Sequence, residues 1–122
     1  MASIALRVGL VLSLVALAQV ARAAAPDGGQ LFQAYCSVCH SAEAGETKIG
    51  PSLFGVVGRK AGTLAGYDYS DAMKNSGITW TPEALDKYLA DPRSIPNIKM
   101  IFLGIKNPAE RKAVIDYLGT LK

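Results

Sequence analysis

The sequence predicts an all-α fold, and three observations point there. Several segments carry helix start signals or helical spacing of apolar residues, none alternates apolar and polar residues as a strand does, and the Gly-rich stretch 41–69 has no sustained period. In chain order, Leu31, Phe32 and Tyr35 give 28–35 a helical face that runs straight into Cys36. Ser70 and Asp71 can cap a short helix through Asn75, with Gly77 ending it. Thr81-Pro82 is an N-cap followed by a proline suited to the first helical position, which opens a helix through Ala90 that stops before Pro92. Asn107-Pro108-x-Glu110 resembles a capping box, and Val114, Ile115, Leu118 and Leu121 then share one face to about Leu121. The irregular segment 41–69 is too long for a small domain with an all-protein core, and becomes reasonable if it wraps a ligand.

The chain has 122 residues, enough for one compact domain. A core that small is modest, so a large apolar cofactor would supply much of the missing interior. The first residues read differently from the rest. Arg7 precedes an apolar run from Val8 to Val20, and Ala21-Arg22-Ala23 is the small-x-small pattern of a signal-peptidase site. The run is short for a membrane span, which needs about 20 residues. The expectation is therefore an export signal over 1–23, cleaved after Ala23, and a domain over 24–122 in the periplasm; the competing reading keeps the segment as an anchor. The 13 Lys and Arg include Arg7 and Arg22, so residues 24–122 hold 11 against 10 Asp and Glu, a net +1. Net charge gives nucleic-acid binding no support.

Cys36-Ser37-Val38-Cys39-His40 is a C-x-x-C-H motif, the attachment pattern for c-type haem. Two thiols one turn apart can each add to a different vinyl group on one porphyrin edge, and the adjacent histidine offers a ring nitrogen to the iron. A thioredoxin-like redox pair would want a βαβ setting, which is missing. A zinc site would need two more Cys or His ligands, and the chain holds 2 Cys and 1 His in all. Any second axial ligand must then be a methionine. Met73 sits in a short helix and is explained by packing. Met100 follows Ile95-Pro96-Asn97-Ile98-Lys99 between two helices, where a turn can bring its thioether to the open haem face, so Met100 is the expected ligand.

Residues 28–122 resemble the class I cytochromes c, both mitochondrial-type and bacterial. The resemblance rests on Gly28 and Phe32 before the motif, Gly50-Pro51-Ser52-Leu53, Gly58-Arg59-Lys60, Gly66 to Ala72, Gly77-Ile78-Thr79-Trp80, Tyr88-Leu89, Lys99 to Phe102, and Tyr117-Leu118. It implies a small all-α fold whose helices wrap one covalently bound haem, with the first and last helices crossing where Gly28 makes room and Phe32 packs near Tyr117 and Leu118. It also implies thioethers at Cys36 and Cys39, axial ligation by His40 and Met100, and support of His40 by the Pro51 carbonyl. Arg59, Tyr69 and Trp80 fall where haem propionates are held, and Tyr88 near the methionine sulfur. The chain departs from the pattern in its ligand loop, which is one residue shorter upstream and carries Asn97 and Ile98 where glycine and threonine are familiar. Met73 stands where asparagine is common. These changes make the expected distal side less polar.

With both axial positions filled, no substrate site remains on the iron, so the implied function is single-electron transfer without catalysis. The implied partners are membrane redox complexes: a cytochrome bc1-type donor and an oxidase or reaction-centre acceptor, met by a monomer. Lys48, Lys60, Lys99 and Lys106 are expected to ring the exposed haem edge and steer docking onto acidic partners. Dissociation of Met100 would open a peroxidase alternative.

Overall fold

The computed structural model describes residues 23–122, so the expected export signal lies outside the described residues apart from Ala23. Among the described residues four α-helices form: α1 (Gly28–Tyr35), α2 (Asp71–Lys74), α3 (Pro82–Ala90) and α4 (Pro108–Thr120), with a 3-10 turn over Pro92–Ser94. The only ladder contact among the described residues is an isolated antiparallel bridge between Lys60 and Thr79. None of the described helices is long and apolar enough to cross a membrane. The irregular stretch 41–69 is indeed loop, as expected.

Each helix begins where its capping residue stands. The side chain of Asp27 accepts from the Gln30 amide, Ser70 from Met73 and Thr81 from Ala84, while Asn107 accepts from both Ala109 and Glu110. These bonds satisfy amides that the helices leave unpaired at their N-termini. The Glu110 side chain does not complete a capping box. Its carboxylate accepts instead from the Tyr35 hydroxyl at 3.1 Å, linking the end of α1 to the start of α4. The 3-10 turn was not expected. It arises because Pro92 can open a turn but cannot extend α3, and the Ser94 amide then closes onto the Asp91 carbonyl.

The core is organised by the crossing of α1 and α4. Phe32 (1 % exposed) and Val114 (0 %) lie at its centre with Ile115 and Leu118, and the Phe32 and Tyr117 rings tilt together at 5.3 Å between centroids. The approach is so close that a Cβ on Gly28 would sit 2.1 Å from the Ala113 carbonyl oxygen and 2.8 Å from Tyr117 Cβ. Leu85, Tyr88 and Leu89 of α3 extend the core, which Val56, Ala61, Met73, Trp80 and Ile105 fill out, and Arg111 joins α3 to α4 through a 2.8 Å ion pair with Asp86. Arg111 also donates to the carbonyls of Ile105 and Lys106, which holds the chain leading into α4.

Gly28→Ala should destabilise the holoprotein by about 1–3 kcal/mol, because the contact is with backbone that cannot rotate away. Guanidinium unfolding followed by helical circular dichroism should show a lower midpoint, whereas Gly119→Ala, which meets nothing within 4 Å, should not.

Candidate metal centre

The C-x-x-C-H segment continues directly from α1. The Cys36 amide bonds back to the Phe32 carbonyl at 2.8 Å, and the Cys39 and His40 amides close onto Cys36 at 3.0 and 2.8 Å. The motif is therefore one compact turn whose position is inherited from the α1–α4 crossing. Both cysteines are unbridged and half-buried. Burial, with a smaller contribution from Cys39, pushes the Cys36 thiol up to about 11. Such a thiol is a poor nucleophile at neutral pH, unlike the activated cysteine of a disulfide oxidoreductase. Among the described residues no group of three or more His, Cys, Asp or Glu side chains gathers to bind a metal, so a zinc reading lacks a donor set.

His40 is held from two sides. Its Nδ1–H donates to the Pro51 carbonyl at 2.7 Å, which fixes the tautomer and leaves the Nε2 lone pair for a metal. Gly50 lies against the ring, and a Cβ there would meet His40 Cε1 at 2.5 Å and Nδ1 at 2.8 Å. Burial lowers the His40 pKa, favouring the neutral imidazole that a metal needs. The adjoining loop is tied in as well, with the Gly50 amide on the Cys39 carbonyl at 2.7 Å. Ser52, almost fully buried, donates to the Glu43 carbonyl at 2.6 Å.

Met100 sits in the chain between the 3-10 turn and α4, half-buried and packed against the core. The Tyr88 hydroxyl points its proton at Met100 Sδ, 3.5 Å away. Burial raises the Tyr88 pKa to about 12, so the hydroxyl stays a donor. Asn97 takes φ +56°, a left-handed conformation that Asn adopts more readily than most residues. Ile98 packs against the core and Met73 lies inside it, so both family departures turn toward apolar surroundings. The loop is fastened outside by Lys99, whose ammonium donates to the Asp68 carbonyl at 2.6 Å and to its carboxylate at 2.8 Å. Lys99 holds the Asp68 carboxyl below its usual range.

Arg59, Tyr69 and Trp80 also come together. The Trp80 amide bonds to the Arg59 carbonyl at 2.9 Å, and the Arg59 guanidinium is close enough to offset part of the rise that burial imposes on the Tyr69 pKa. The guanidinium itself donates to the carbonyls of Ser52 and Phe54 at 3.0 and 3.2 Å. It forms no ion pair with a carboxylate among the described residues, although half-buried. A cation partly out of water and bonded only to neutral oxygens suits an acidic group of a ligand.

The expected lysine ring is less free than the sequence suggested. Lys48 donates to the Ser37 carbonyl, Lys99 to Asp68, and Lys106 to the Ala90 carbonyl at 2.7 Å. Sequence reasoning also missed the Lys99–Asp68 clasp, the Tyr35–Glu110 bond and the pressure of Gly50 on His40. The first two join residues 31 and 75 positions apart, with no local signal; Gly50 stood in a recognised Gly-Pro pair without its contact being evident.

Two thiols on one turn, a histidine in the metal-binding tautomer and a thioether on a separate loop define a c-type haem protein. Residues 25–122 match the family model for cytochrome c. Cytochrome c2 iso-2 of Magnetospirillum molischianum is 58 % identical over 88 residues, covering 71 % of this chain and 91 % of its own length. Cytochrome c2 of Rhodopila globiformis is 47 % identical over 97 residues, covering 79 % and 92 %. The solved structure of cytochrome cH from Methylobacterium extorquens superposes with a TM-score of 0.72 at 43 % identity, covering 78 % of this chain and 99 % of that one. The chain belongs to the cytochrome c family. It binds one covalent haem c with its iron and carries electrons; it is not an enzyme.

Gly50→Ala should force the His40 ring off its bond to Pro51 or shift the loop, costing about 1–3 kcal/mol. The holoprotein should unfold at lower denaturant, and proton exchange at His40 Nδ1, read by NMR, should accelerate.

Proposed function

We propose that this carrier attaches its haem through Cys36 and Cys39, holds the iron between His40 and Met100, and binds the propionates with Arg59, Tyr69 and Trp80. The observation that carries this reading is the His40 Nδ1–H bond to the Pro51 carbonyl at 2.7 Å, because it leaves a buried, neutral imidazole with one lone pair to give. Tyr88 supports the opposite side by directing its hydroxyl at the Met100 sulfur, which orients the thioether. When bound, the haem supplies a one-electron couple, and ligation by His and Met raises its potential relative to anionic ligands. The protein's own part would be to hold the iron through His40 and Met100 and to shield the group from water with the apolar side chains of the core.

The carrier works between membrane redox complexes, taking electrons from a cytochrome bc1-type donor and passing them to an oxidase or a photosynthetic reaction centre. It does so as a monomer in the periplasm, after removal of residues 1–23. The apolar run Val8–Val20 and the Ala21-Arg22-Ala23 pattern support export. The named bacterial cytochromes c2 among its relatives support the shuttle role. Mass spectrometry of protein isolated from cells should give a chain starting at Ala24 plus one haem and no free thiol. A chain that retains its N-terminus would instead indicate a tethered form.

His40→Ala should prevent stable holoprotein from accumulating. Met100→Ala should still carry covalent haem but lose its low-spin spectrum and bind exogenous imidazole. An unchanged Met100→Ala spectrum would show that Met100 is not the ligand.

Ile98→Thr restores the hydroxyl that the ligand loop lacks, and a net hydrogen bond adds about 0.5–1.5 kcal/mol. The midpoint for alkaline loss of the methionine–iron absorption band should therefore rise. A fall would mean that the apolar packing of Ile98 contributes more than the hydroxyl.

A further inference from the structure

Tyr35 stands where α1 hands over to the cysteine motif. It is 42 % exposed, and its hydroxyl donates at 3.1 Å to the carboxylate of Glu110 in the first turn of α4. The chain has 5 tyrosines. Among the described residues Tyr35 is the one whose hydroxyl is bonded to a carboxylate; that of Tyr88 faces the Met100 thioether, which takes up no proton at ordinary pH. Glu110 forms no ion pair among the described residues, and its place at the start of α4 favours the ionised form. Its bond raises the Tyr35 pKa, so a protonated phenol lies beside an ionised carboxylate.

That pairing has a chemical consequence. A phenol that loses an electron becomes a strong acid, so its oxidation is slow unless a base stands ready to take the proton. A base is competent within about 2.6–3.2 Å of the group it deprotonates, and Glu110 stands inside that reach. The hole left on the ring also has somewhere to go. Tyr35 directly precedes Cys36, so the covalent path from the ring to the Cys36 sulfur crosses a single peptide unit. The Cys36 amide bonds back to the Phe32 carbonyl at 2.8 Å, which holds that path in a fixed turn. On its outer side the ring meets Phe102 edge-on at 6.4 Å and leaves part of its surface open to small solutes.

We propose that Tyr35, with Glu110 as its proton acceptor, is a radical-quenching site: it gives one electron to a small oxidant of the free-radical class and is restored by an electron from the ferrous haem attached at Cys36. In the first step the Tyr35 ring loses an electron to the oxidant and its hydroxyl proton moves to Glu110. This leaves a tyrosyl radical, a neutral carboxylic acid and the reduced oxidant. In the second step the ring recovers an electron from the haem iron, which is left ferric, and the proton returns from Glu110 to the tyrosyl oxygen. The sum is one radical reduced and one carrier oxidised, so the electron comes from the pool that the carrier already serves. The proposal rests on attachment of the haem at Cys36.

The test exposes holoprotein to azidyl radicals, made by irradiating azide solutions, with a spin trap present and adducts located by peptide mass mapping. In the ferric protein the adduct should concentrate on Tyr35. Glu110→Gln should lower it at least about tenfold without changing the low-spin spectrum, because the amide keeps an acceptor oxygen but takes no proton. In the ferrous protein the Tyr35 adduct should be lost and ferric haem should form in its place. Tyr35→Phe, which keeps the ring beside Phe102, should lower that ferric yield and leave adducts on Tyr67. Adducts spread evenly over Tyr67, Tyr69 and Tyr117 in the ferric protein, or an unchanged Tyr35 adduct in Glu110→Gln, would overturn the site. Equal Tyr35 adducts in the ferrous and ferric proteins would overturn the return of the electron from the haem. A free thiol at Cys36 in the intact mass would instead remove the attachment on which the proposal rests.

Discussion

The crossing of α1 and α4 sets the geometry on which everything downstream depends. Only a residue without a side chain fits at position 28, because a Cβ there would lie 2.1 Å from the Ala113 carbonyl oxygen, and that close approach lets Phe32 bury itself against Val114 and Tyr117. Because the Cys36 and Ser37 amides still bond to Phe32, the C-x-x-C-H turn is a rigid extension of the crossed helix. Two helices far apart in sequence thus aim one short motif. The Tyr35–Glu110 bond repeats the link at the surface, though as an exposed contact it adds little beside the buried ring pair.

From that fixed turn the two sides of the centre are secured by different means. His40 is confined by a backbone carbonyl and a glycine, both in the loop directly bonded to the motif. Met100 lies on a segment fastened at a few points: the Lys99–Asp68 clasp, the Tyr88 hydroxyl, and the Ile105 amide on the Leu89 carbonyl at 2.7 Å. The clasp is solvent-exposed, and screening limits what it contributes. The proximal side is therefore the stiffer one, and opening of the fold should begin at 95–101, where fewer buried contacts hold the chain.

How much of this was legible in the sequence follows from the range of each interaction. The haem motif, the caps at Ser70, Thr81 and Asn107, and the long aperiodic loop are local, and the structure places helices where those signals stand. The Gly28, Phe32 and Tyr117 packing was legible only through resemblance, since nothing within α1 reveals what it crosses. Glu110 shows the limit of a local rule: its spacing suits a capping box, but Tyr35, 75 residues away, takes its carboxylate. The lysines show another. Sequence counts them as solvated positive charge, whereas the fold turns Lys48, Lys99 and Lys106 onto nearby acceptors.

The same reasoning explains how the ligand loop keeps its shape without the familiar glycine and threonine. A loop of this kind needs one residue in the left-handed region and something to hold its inner side. Asn97 meets the first need at φ +56°, at a modest conformational cost compared with most side chains. Ile98 meets the second by packing on the core beside Met73, so that apolar contact stands where hydrogen bonding would otherwise be. Apolar burial is less directional than a hydrogen bond, and it fixes how deeply the loop sits better than how it is oriented. Orientation of the Met100 sulfur then falls to Tyr88, itself set by its tilted stack on Trp80 at 4.9 Å. With Ile98 and Met73 apolar, that single hydroxyl bears more of the polar positioning on the distal side than it would in a loop supplied with threonine and asparagine.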